Sequence, residues 1–152
     1  MEGKRLVRRI EITTSIHATA DDEKVRKAIL NLVPEELRDQ AKIKQLTFQG
    51  HYGNPIKRLT LTITGRNADK VFKNIISKMT STDRKIIDTT LENRLDSSSH
   101  LYIRLSKQDA YQGNVVLYEG DDIIKIVATL NHNVTRDDIR SVLRGKNEGE
   151  EE

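Results

Sequence analysis

The chain has 152 residues, 36% of them hydrophobic and 32% charged, and it contains no cysteine. That length is about one domain's worth of chain, long enough to bury about 70% of what the unfolded chain exposes. The missing thiols exclude disulfides, cysteine-ligated zinc, iron–sulfur clusters and a cysteine nucleophile. The formal net charge is +3. The segment 145–152 holds one lysine against four glutamates, a net −3, so residues 1–144 carry +6. The expected organisation is a single basic domain over 1–144 and an acidic tail over 145–152, a division seen in proteins that bind polyanions. Solubility alone would also account for the charge.

The first patterned segment alternates Ile10, Ile12, Thr14, Ile16 and Ala18 with Glu11, Thr13, Ser15 and His17, a period of 2 that predicts a half-buried strand. Acidic residues Asp21 and Asp22 suit the positive end of a helix. Val25, Ala28, Ile29 and Leu32 follow at helical spacing until Pro34, after which Glu35–Asp39 suits a short turn of helix. Strands are predicted at Ile43–Gln49 and Arg58–Thr64, joined through Gly50-His51-Tyr52-Gly53-Asn54-Pro55, a hairpin connection.

Val71, Phe72, Ile75, Ile76 and Met79 predict a further helix, and Ile86, Ile87, Leu91 and Leu95 another. His100–Leu105 and Asp122–Leu130 alternate again, with one helical turn at Lys107–Tyr111 after the first. Thr135 and Asp138 form the capping pattern of a last helix. The order contains no run of βαβ crossovers. It predicts an α+β fold of two layers, a mostly antiparallel sheet of about five strands with helices packed on one face.

No apolar run reaches a membrane span, and Met1–Arg5 leads into a strand pattern rather than a secretory signal, so a cytoplasmic protein with no membrane partner is expected. Nucleotide-cradling glycine loops and the Gly-x-Ser-x-Gly elbow are missing. The four histidines are scattered, without an i, i+4 pair for a metal. Asp121 and Asp122 follow Gly120 and read as a turn. These features point away from catalysis, and neither a metal nor a cofactor is expected.

If the apolar sets face the helices, a polar set remains on the opposite face: Arg9, Glu11, Thr13, Ser15 and His17; Arg58, Thr60, Thr62 and Thr64; His100, Tyr102, Arg104 and Ser106; and Lys125 and Thr129. Such a face can neutralise phosphates and stack a base. An ordinary wetted antiparallel face also carries Thr and Arg. In the hairpin connection, His51 and Tyr52 offer rings and Asn54 an amide for base edges, or the segment is a rigid turn. Arg94 and Lys107 lie near Tyr102 and Arg104 in sequence. The candidate RNA-binding residues are therefore Arg9, His51, Tyr52, Asn54, Arg58, Arg94, Tyr102, Arg104, Lys107 and Lys125. Val127 and Ile123 share the face, which leaves a protein-interaction adaptor or homodimer as the alternative.

Three segments carry a resemblance to a known family: His17-Ala18-Thr19 with Asp21–Val25; Gly50-His51-Tyr52-Gly53-Asn54-Pro55-Ile56; and Arg94-Leu95-Asp96 with Leu101–Gly113. Together they resemble the archaeal predicted RNA-binding, exosome-associated subunits, over about residues 9 to 131. Ser106 departs from the acidic residue expected at that place. The resemblance implies a fold similar to the large-subunit ribosomal protein that holds 5S RNA. It also implies RNA and exosome subunits as partners, a role in RNA processing, and no catalysis.

Overall fold

The computed structural model describes residues 3–17, 21–49 and 55–145. Five antiparallel strands form one sheet: β1 (Val7–Ile16), β2 (Ile43–Gln49), β3 (Pro55–Thr64), β4 (His100–Ser106) and β5 (Ile123–Leu130), in the order β2-β3-β1-β5-β4. The α+β expectation holds, with β1 at the centre.

The helices are α1 (Asp22–Asn31), α2 (Arg66–Lys78), α3 (Ser81–Thr89), α4 (Leu91–Arg94), α5 (Lys107–Tyr111) and α6 (Arg136–Leu143), with a 3-10 helix at Glu35–Gln40. The core lies between sheet and helices. Ile10, Ile12 and Ile16 of β1, Leu59 and Leu61 of β3, Leu101, Ile103 and Leu105 of β4, and Ile124, Ile126 and Ala128 of β5 are all buried there. They meet Val25, Ala28 and Ile29 of α1 and Val71, Phe72, Ile75 and Ile76 of α2. Burying one such side chain contributes about 1.5–3 kcal/mol, so the alternation of the strands fixes which face is left open.

Local chemistry sets the boundaries. Asp21 caps α1 by accepting from the N–H groups of Glu23 and Lys24. Thr135 and Asp138 form the expected capping box of α6. Gly65 turns β3 into α2 at φ 74°, a conformation that favours glycine. Asp69 is buried, and its Oδ1 accepts from the backbone N–H groups of Leu6 and Val7 at 2.8 and 3.1 Å while Oδ2 meets Lys73 at 2.9 Å. This ties the start of β1 to α2.

Three details differ from expectation. The single helix anticipated through Leu95 divides at Thr90, whose hydroxyl donates to the carbonyl of Ile86 at 2.6 Å. Leu95 leaves the helix and bridges to Leu101 at the outer side of β4. β3 begins at Pro55 rather than Arg58, because Pro55–Lys57 pair with Thr47–Gln49 across the hairpin; a proline is tolerated as the first residue of a strand.

Candidate nucleic-acid interface

The open face is built by register. Directly paired residues share a face, so Arg104, Lys125, Thr13, Thr60 and Lys44 form one row across all five strands. A second row holds Tyr102, Val127, Glu11 and Thr62, and a third His100, Thr129, Arg9 and Thr64. Arg58 and Ser15 pair one step further along, with Leu46 beside Arg58. The face holds a concavity of about 640 Å³ lined by Glu11, Arg58, Tyr102, Arg104, Asp121 and Lys125 among others.

Cations outnumber carboxylates on this surface. Arg9, Lys44, Arg58, Arg104 and Lys125 project from it, and Glu11 is the only carboxylate among the strand side chains facing the same way. Lys125 Nζ lies 5.8 Å from the centroid of the Tyr102 ring, and the Arg58 guanidinium 5.1 Å from that of Phe48, within cation–π range.

Tyr102 is held from below the edge of β4. Its hydroxyl donates to Asp96 Oδ2 at 3.0 Å, and His100 Nδ1 lies at the same distance from that oxygen. Asp96 Oδ1 accepts from the backbone N–H groups of Ser98 and His100, both at 2.9 Å. An ionised carboxylate only accepts, so Nδ1 of His100 donates to it. The backbone N–H of His100, followed by the His100 ring, the Tyr102 hydroxyl and the Ser98 N–H, holds the Asp96 carboxyl down at about 2. The same hydrogen bond pushes the Tyr102 hydroxyl above its ordinary value.

The candidates from sequence divide into three groups. Arg9, Arg58, Tyr102, Arg104 and Lys125 are brought together on the open face. Arg94 and Lys107 are engaged with the protein, although Lys107 also lines the concavity. Arg94 donates from Nε to Thr90 and from Nη1 to the carbonyl of Tyr102. Lys107 donates to the carbonyl of Ser15 at 2.7 Å and pairs with Asp122 at 2.9 Å, with its side chain 13% exposed. His51, Tyr52 and Asn54 lie outside the described residues.

Sequence reasoning missed three contributors. A β-bulge between Val7 and Arg9 turns Arg8 as well as Arg9 outward; its signal is Val7-Arg8-Arg9-Ile10, where the alternation breaks. Lys44 gives no signal, because β2 is exposed along nearly its whole length and shows no burial pattern. Asp96 sits in a turn, and only folding brings it to Tyr102.

A sequence model of a family described as RNA binding matches residues 9–130. The chain belongs to this RNA-binding family. It is 37% identical over 128 residues to an RNA-binding protein of Pyrococcus abyssi, covering 83% of each chain. It is 38% identical over 127 residues to an uncharacterised protein of Methanocaldococcus jannaschii, covering 78% of this chain and 80% of the other. A crystal structure of a Sulfolobus solfataricus protein superposes with a TM-score of 0.77 at 29% identity, covering 91% of this chain and 98% of that one. These relatives are archaeal, and the span matched by the family covers all five strands except the first two residues of β1. No helix among the described residues is long and apolar enough to cross a membrane.

Proposed function

We propose that the protein is a non-catalytic RNA-binding module whose interface is the open face of the sheet. The observation that carries this reading is the row Arg104–Lys125–Thr13–Thr60–Lys44, flanked by an aromatic ring held in place by Asp96. Arg9, Arg58, Arg104 and Lys125 neutralise phosphates, and Lys44 extends the track to the edge strand. Tyr102 supplies a stacking surface. His51, Tyr52 and Asn54 of the hairpin connection reach the same RNA. Arg94 and Lys107 act by holding the backbone under this face. One domain, residues 1–144, carries the interface, and the acidic tail competes with phosphate for it. The protein works in the cytoplasm, as an accessory subunit that presents RNA to an exosome complex.

Fluorescence anisotropy of labelled single-stranded and structured RNA across a salt series tests this. Saturable binding that weakens with a linear log–log dependence on salt is expected, since each phosphate neutralised releases counterions. Absence of binding to both RNAs at low salt would remove the proposal.

One feature favours a second reading, an adaptor or homodimer. The edge strand β2 exposes Leu46 (66%) and Phe48 (40%) on the same side as the cations. If these residues meet a protein, Leu46→Ser with Phe48→Ser changes the oligomeric mass and leaves RNA affinity intact.

A further inference from the structure

Glu11 is out of place on a surface that attracts phosphates. It stands in the central strand, in the row that runs Tyr102, Val127, Glu11. Its only ion pair among the described residues is a 3.6 Å contact with Arg9, and both side chains are substantially exposed. Pairs of that kind contribute about 0–1 kcal/mol, so the fold does not depend on it. A carboxylate there repels the RNA backbone unless something on the RNA donates to it.

Resting on the reading of this face as the RNA interface, we propose that it binds single-stranded RNA with a guanine stacked on Tyr102 and recognised at its Watson–Crick edge by Glu11. Tyr102 and Glu11 both pair with Val127, one from each side. Strands lie about 4.8 Å apart, which sets the two backbones roughly 10 Å from each other. A purine spans much of that distance. All three residues line the same concavity, and Val127 forms an apolar floor between the ring and the carboxylate. Asp96 fixes the ring from outside β4, so the platform is ordered before RNA arrives.

The chemistry selects guanine. A carboxylate has acceptors only. Guanine places two donors side by side, N1–H and the N2 amino group, matching two carboxylate oxygens. Cytosine and adenine each set one amino donor beside a ring-nitrogen acceptor, which would face the second oxygen. Uracil sets one N–H between two carbonyls. These edges are open only when the base is unpaired, so the same contact that chooses guanine also chooses a single strand.

The experiment compares U9 with U4GU4 on the wild-type protein and on Glu11→Ala. Wild type should bind U4GU4 about 5- to 100-fold more tightly, the range of a good bidentate base contact. Glu11→Ala should lose that preference while binding U9 as well as or better than wild type, because a negative charge has left the phosphate track. Inosine at the central position, which lacks the N2 amino group, should fall between uracil and guanine. Equal wild-type affinity for U9 and U4GU4, or a guanine preference that survives in Glu11→Ala, overturns the inference while leaving RNA binding intact. No binding to either oligonucleotide overturns the interface itself.

Discussion

The Tyr102 hydroxyl donates to Asp96 at 3.0 Å, and this bond reaches from a turn outside the sheet to the aromatic ring of the open face. It separates two functions of one side chain, since the ring faces RNA and the hydroxyl holds the ring. Tyr102→Ala should weaken RNA binding by about 5- to 100-fold, the usual worth of one stacked base. Tyr102→Phe keeps the ring and should weaken binding clearly less. Anisotropy titrations of the two variants decide this, and equal weakening would show that the ring does not stack.

The same carboxylate sets a pH dependence. Asp96 is held at about 2 against an ordinary 3.8, chiefly by the backbone N–H of His100. A lowered carboxyl contributes stability that is present above its ordinary value and lost as pH falls through the folded one. The difference in thermal midpoint between wild type and Asp96→Asn should therefore be constant near neutrality and shrink between about pH 4 and pH 2. A difference that stays constant throughout that window would contradict the assignment.

Asp69 anchors the strand that presents Arg8, Arg9 and Glu11. Asp69→Ala leaves two buried backbone donors at Leu6 and Val7 without their acceptor, which should cost about 2–4 kcal/mol. Asp69→Asn retains an oxygen for both donors and should cost less. Chemical denaturation of the two variants measures the difference.

Arg104 and Lys107 stand three residues apart and should behave oppositely. Arg104→Ala should lower the salt slope by about 0.7 for each phosphate that Arg104 neutralises on a single strand, with stability nearly unchanged. Lys107→Met should leave the slope alone and lower stability by about 1–3 kcal/mol, because the Ser15 carbonyl and Asp122 lose their donor. Salt-series titrations and denaturation of both variants check the contrast.

These contrasts show what sequence could and could not convey. The alternation from Ile10 to Ile16 placed Arg9 and Glu11 correctly because burial of one face leaves no freedom of register. The same reasoning missed Arg8, where a bulge inserts a residue and the break of alternation at Val7-Arg8-Arg9-Ile10 is its only mark. It failed at Lys44, since a strand exposed on both sides has no apolar period to read. The hold of Lys107 on the Ser15 carbonyl had no signal either, because the two residues lie 92 apart in sequence. Asp96 had no pattern of its own, because its role depends on a turn meeting a strand edge.

The central claim is that RNA lies on the open sheet face. Photo-crosslinking of a 4-thiouridine-substituted single strand, followed by peptide mapping, tests it most directly. Adducts should fall on peptides of β1, β3, β4 and β5, with Tyr102 prominent. Adducts confined to α2, α3 and α6, on the opposite side of the molecule, would contradict it.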